Sequence, residues 1–222
     1  MPQISKSTLE FLSKLKKNND REWFNKNRSA YEAAKKEFEV FMQAAIDSIA
    51  GFEPILKGLE ASSVIFRINR DIRFSNDKSP YKAHMGGFIV RGGRKNGDKY
   101  AGYYVHIEPG ASMIAGGAYV PPAPWLNAIR EKIDLEPDRF TRILQQKDFR
   151  KYFGELQGEK LKKVPRGYNS DHPYAELLKH KSYLVINSVS DKDVTSGGFF
   201  EHVISTARAM KPLNDFLNDY EV

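Results

Sequence analysis

The 222-residue chain contains no cysteine. Disulfides, thiolate nucleophiles, iron–sulfur clusters and thiolate zinc sites are therefore excluded. It also lacks any apolar run near the ~20 residues that a membrane-spanning helix requires. Its first residues, "MPQISKSTLEFLSKLKKNNDREW", carry no apolar stretch of the kind a secretory signal needs. The expectation is a cytoplasmic protein with no membrane partner. Internal repeats and low-complexity tracts are absent too. Hydrophobic residues at 41% and charged residues at 28% fit a folded chain rather than a disordered one. The length fits a single domain over residues 1–222.

Several chemical signatures are missing as well. The five histidines, His84, His106, His172, His180 and His202, form no H-x-H or H-E-x-x-H pair, so spacing indicates no metal site. The glycine pairs Gly86-Gly87, Gly92-Gly93 and Gly116-Gly117 continue into neither a phosphate-binding loop nor a dinucleotide fingerprint. No G-x-S-x-G elbow occurs. No cofactor is expected, and the glycine pairs read as hairpin turns or bulges.

What the chain does have is an uneven distribution of charge. The net charge is +7, and residues 66–99 hold nine Lys or Arg against three Asp, leaving 26 against 25 elsewhere. Nearly the whole excess is one local positive field, suited to concentrating an anionic partner.

Hydrophobic periodicity supplies the scaffold. Ser5 or Ser7 caps a helix over about 5–18, and Asn19 with Glu22 repeats the capping pattern. A second helix is expected from about Asp20 to Ile49, because Trp23, Phe24, Tyr31, Ala34, Phe38, Phe41, Ala45 and Ile49 keep helical spacing. "SSVIFRI" then reads as a β-branched strand. Strands from Gly87 to Arg91 and Ala101 to Glu108 flank a turn signal at Asn96-Gly97-Asp98, and "SMIAGGAYV" offers a third. Pro124 and Pro137 mark helix starts, and "SDHPYAELLKHK" reads as a short helix capped by Ser170 or Asp171. "SYLVINSV" gives a further strand, and a last helix runs from Phe199 to Asn218. Hairpins without regular βα alternation predict an α+β fold, with a mostly antiparallel sheet and helices packed mainly on one face.

The charged stretch "RINRDIRFSNDKSPYK", Arg67 to Lys82, reads as the end of a strand followed by a shaped loop. Arg67, Arg70, Asp71, Arg73, Phe74, Asp77, Lys78, Pro80 and Tyr81 within it resemble the signature of the bacterial DUF2461 family, Arg-x-x-Arg-Asp-x-Arg-Phe with a downstream Lys and Tyr. "EPGASMIAGGAYVPP" and "PRGYNSDHPYAELLKHKSY" also look like that family, and the resemblance spans nearly the whole chain. It implies membership of a family of unknown function and no particular activity.

The chemistry of the residues carries the rest. Arginine suits two-pronged contact with carboxylate or phosphate, and three within seven positions can surround one anion. The expected anion-binding set is Arg67, Arg70, Arg73, Lys78, Tyr81 and Lys82, completed by Arg166 and Lys181 from a second basic cluster that includes Lys160, Lys162, Lys163 and Lys179. A small anionic ligand is the expected partner. Should the protein be an enzyme, Asp71, Asp77 and His172 are the acid–base candidates. Two alternatives stand beside this. One is a nucleic-acid surface in which the "RGGRKNGDK" loop and the second basic cluster lie along one face, with nearby aromatics for stacking; the other is an internal scaffold in which Asp71 and Asp77 already neutralise the arginines. Tyr104, His106 and Glu108 alternate on one strand face, which either lines a cleft or meets water.

Overall fold

Ser5, rather than Ser7, caps the first helix: its hydroxyl accepts from the Thr8 amide at 3.3 Å, and α1 runs Lys6–Lys17. The structure is a computed structural model that describes residues 2–73 and 75–220. Phe74 of the charged motif lies outside the described residues. Asp20 caps α2 (Arg21–Lys26) by accepting from the Trp23 amide at 2.8 Å. The expected single long helix is interrupted here, because α3 (Arg28–Ala50) starts separately. At Asn27, with φ −107° and ψ 19°, the backbone leaves the helical well, and its side-chain amide donates to the Trp23 carbonyl. The bend brings Phe24 and Tyr31 to 5.0 Å, with both rings against Phe11.

A second expectation also fails. "SSVIFRI" is not a regular strand, because Ala61–Val64 form the short helix α4. After α4, Ile65 and Asn69 make isolated bridges to Gly87 and Tyr81, and the Phe66 amide donates to the Gly86 carbonyl. The cause is tertiary: the Gln43 side chain on α3 accepts from the Ala61 amide and donates to the Leu59 carbonyl, which fixes a turn that β-branched propensity does not favour.

β1 (Met85–Ile89), β2 (Gly102–Ile107) and β3 (Ser112–Ala118) are followed by α5 (Ala123–Leu135), α6 (Pro137–Gln145), α7 (Lys147–Phe153), α8 (Ala175–Leu178), β4 (Tyr183–Val189), α9 (Asp191–Val194) and α10 (Phe199–Asn218). α8 starts later than expected, with Tyr174 at its N-cap. Pro173 restricts His172 to non-helical backbone, so a helix cannot run through Asp171 and His172.

The four strands form one antiparallel sheet in the order β1-β2-β3-β4. Ile89, Tyr103, Val105, Ile114 and Val185 share one face and are buried against α3 and α10. Phe41 stacks on Phe199 at 5.4 Å, and Phe140 meets Phe216 at 4.8 Å, so both helices join one core. Each fully buried side chain there is worth about 1.5–3 kcal/mol. Glycine lets the helices come close: a Cβ at Gly116 would stand 2.2 Å from both the Met210 sulfur and the Gly102 carbonyl oxygen. The fold is α+β, with its helices mainly on this face. No helix among the described residues is long and apolar enough to cross a membrane.

The other face of the sheet positions the site. Register pairs Phe88 with Tyr104, Tyr104 with Ala115, and Ala115 with Ile186, so these four make one row across all strands. Gly86, His106, Met113 and Ser188 make the next.

Candidate functional site

The charged loop folds on itself as a short hairpin, held by Arg70 N to Pro80 O and Lys82 N to Ile68 O. Within it the cations divide into two groups. Arg70 is ion-paired to Asp77 and donates to Ser79 and Ser75. Arg73 grips Asp71 through Nε and Nη2 at 3.0 and 2.7 Å. Lys78 donates to the Ile72 carbonyl at 3.1 Å. These contacts are those of the scaffold alternative, although Arg73, Asp71 and Asp77 remain open to solvent. Tyr81 is buried, stacked on Phe24 at 3.9 Å with its backbone bonded to Asn19, so its ring belongs to the core.

Arg67 and Lys82 form the second group, joined by Arg94 from the turn between β1 and β2. Lys82 donates to the Arg67 carbonyl at 2.9 Å and lies over the Phe66 ring, while Arg94 donates to the carbonyls of Ser62 and Ser63. None of the three forms an ion pair among the described residues. Burial holds the Lys82 ammonium below its ordinary pKa, and the neighbouring charges of Arg67 and Arg94 push it further down.

The remaining expected residues sit apart from the loop in their contacts. Lys181 pairs with Glu159 at 2.8 Å, and Lys160 and Lys179 share Glu176. Among the described residues, no ion pair or hydrogen bond joins Lys181 or Arg166 to residues 67–82. His172 donates through Nε2 to Asp134 at 2.7 Å and accepts from the Tyr174 amide at Nδ1, which ties down the turn before α8. The acid–base candidates on the loop are weak bases. Hydrogen bonds from Arg73 draw the Asp71 carboxyl down to about 2. The Ser79 hydroxyl and amide, with Arg70, draw Asp77 well below the carboxylate range. A group so firmly ionised at neutral pH accepts a proton poorly.

The open sheet face supplies what the loop lacks, a concavity. A cavity of about 740 Å³ lies over Phe88, Tyr104, Met113, Ala115, Leu184 and Ile186, and Lys82, Arg94, Lys95 and Asp98 line it as well. Arg67, His84 and Arg94 also line a smaller adjoining cavity of about 270 Å³. At the β1–β2 end a polar chain leads away from Tyr104 on the cavity floor. Tyr104 Oη is 2.9 Å from His106 Nδ1, His106 Nε2 is 3.0 Å from Glu108 Oε2, and Glu108 Oε1 accepts from Lys16 at 3.1 Å. His84 packs on His106 with ring centroids 4.3 Å apart. Burial, then the nearby His106, lowers the His84 pKa to about 4, and burial raises that of Tyr104 to about 12.

Sequence reasoning placed Tyr104, His106 and Glu108 on one strand face but had no means of adding His84. The missing signal was register: with Gly86 opposite His106, a residue two positions before Gly86 reaches the next pair along. Arg94 was legible only as part of a basic loop.

Comparison with curated proteins and with solved structures finds no match to this chain. The family described as "Conserved hypothetical protein (DUF2461)" matches residues 7–216, nearly the full length. With that extent of match, the chain belongs to the DUF2461 family of conserved hypothetical proteins.

Proposed function

We propose that the protein binds a small ligand with an apolar body and an anionic end on the open face of its sheet. The observation that carries this reading is the juxtaposition of the 740 Å³ cavity, floored by Phe88, Met113, Leu184 and Ile186, with the unpaired cations Lys82 and Arg94. The volume falls in the ~300–1,000 Å³ range of small-molecule sites, where apolar walls supply affinity and a few polar groups fix orientation. Asp98 also lines this cavity but pairs with neither cation among the described residues; the cations repel one another, and a bound phosphate or carboxylate relieves that cost. The anion site is accordingly Arg67, Lys82 and Arg94 rather than the whole charged loop. Arg70, Arg73 and Lys78 shape the loop that delivers Arg67 and Lys82, and Arg94 comes from the turn between β1 and β2.

Calorimetric titration with octyl phosphate, inorganic phosphate and the uncharged octyl glucoside tests this. Octyl phosphate binds most tightly, and Lys82→Met and Arg94→Met each weaken it. Equal affinity in both variants refutes the reading. Tight binding of single-stranded oligonucleotides that collapses as salt rises would favour a nucleic-acid surface instead.

A further inference from the structure

We propose that His84, His106 and Glu108 form a binding site for one first-row transition-metal dication. His84 Nδ1 and His106 Nε2 stand 3.9 and 3.0 Å from the same oxygen, Glu108 Oε2. Donor atoms of all three residues lie within 4.8 Å of one another. Adjacent donors on a tetrahedral ion bound at ~2.0–2.1 Å are about 3.3 Å apart. The two separations bracket that value, and a small inward shift of His84 completes the set. Two imidazoles and one carboxylate suit zinc, iron or cobalt, whereas magnesium and calcium take oxygen ligands.

The surroundings already orient the donors. His106 is buried, and its Nδ1 is engaged by Tyr104 at 2.9 Å, which leaves Nε2 to face the cluster. A ring with one proton can accept from Tyr104 and donate to Glu108; moving that proton to Nδ1, with Tyr104 as acceptor, frees Nε2 for a metal. Lys16 holds the outer oxygen of Glu108, which leaves Oε2 turned toward both histidines. A hydrogen-bonded chain explains Tyr104, His106 and Glu108 without an ion, but it does not explain His84. That ring makes no hydrogen bond among the described residues, yet it packs beside His106 and faces Glu108.

His84 and Tyr104 also line the large cavity, so the ion's remaining coordination positions would open onto it. Completion of the coordination shell by the anionic end of a ligand rests on the proposed cavity function. Metal binding by the three residues does not, and the two can fail separately.

The test is titration of tag-free, chelator-treated protein with Co(II), followed by visible absorbance, and with Zn(II), followed by calorimetry, both without any organic ligand. The expected result is one equivalent of either ion, with the d–d absorbance of a low-coordinate nitrogen–oxygen site. His84→Gln weakens binding at least about tenfold, the lower bound seen even for residues that only support a ligand. Its melting temperature falls little, because His84 has no hydrogen bond to lose and gives up only its packing on His106. Glu108→Gln weakens binding likewise; should it unfold through loss of the Lys16 and His106 contacts, His84→Gln decides alone. Absence of stoichiometric Co(II) binding, or equal affinity in His84→Gln, overturns the proposal. Competition by equimolar Mg(II) overturns the metal class.

Discussion

Lys82→Met compared with Arg70→Met separates a ligand-binding cation from a scaffold one. Methionine keeps most of the apolar stem of lysine and removes the charge. In the free protein the change deletes the 2.9 Å bond to the Arg67 carbonyl, worth about 0.5–1.5 kcal/mol net. It also deletes a cation–π contact 5.5 Å from the Phe66 centroid, worth about 0.5–1 kcal/mol at an exposed site. Against these losses stands relief of the burial and like-charge strain that lowers the Lys82 pKa. The opposing effects leave stability within about 1 kcal/mol, or roughly 2–4 °C in Tm for a chain of this size. Binding responds differently. A charge-assisted hydrogen bond to an anion contributes about 1.5–3 kcal/mol, so affinity for octyl phosphate falls about 10- to 150-fold. Arg70→Met should do the reverse, lowering Tm through loss of Asp77, Ser75 and Ser79 while affinity stays near that of the parent. Scanning calorimetry and ligand titration on the two variants read both axes. Unchanged affinity in Lys82→Met, or an Arg70→Met protein that keeps its stability and loses binding, refutes the division of the loop's cations.

Acid should erode the loop in a defined window. The folded pKa of Asp71 is drawn down to about 2 and that of Asp77 lower still, so their contribution is present above the ordinary carboxylate pKa of ~4 and is lost as pH falls through those folded values. The gap in urea midpoint between the parent and an Asp71→Asn/Asp77→Asn variant should therefore narrow steadily below about pH 5 without closing by about pH 2.5, and a constant gap contradicts the assignment. Gly116→Ala forces a methyl against the Gly102 carbonyl and the Met210 sulfur, with a cost of about 1–3 kcal/mol in thermal or chemical unfolding. An alanine protein as stable as the parent would mean that α10 does not seat on β3 as described.

The scaffold was legible where local signals and tertiary demand agreed. Phe199 to Asn218 reads as a helix and is one, because its apolar spacing presents Phe200, Val203, Met210 and Leu213 to the core. The strand pair before it was placed to within a few residues by a glycine-rich turn. Legibility ended where a distant group intervened: the Gln43 amide that holds Ala61, and the rings of Phe11 and Tyr31 across the Asn27 break. The site divides along the same line. Surplus charge in residues 66–99 was countable, but which cations meet a carboxylate depends on how the loop folds back. Arg70 and Asp77 are seven positions apart and meet; Lys82 is five from Asp77 and turns instead to Arg67.

The isolated bridges of the fold bear on how anything large could approach. Ile65 and Phe66 lie along the outer side of β1, and Gln157 bridges Leu184 on the outer side of β4. Both margins of the sheet are thus partly occupied by the chain's own backbone, which limits edge-to-edge self-association. A partner peptide has little free ladder to extend by strand addition. For the ligand proposed above, recognition would then fall to side chains on the open face, where Tyr104, Phe88, Lys82 and Arg94 line the large cavity.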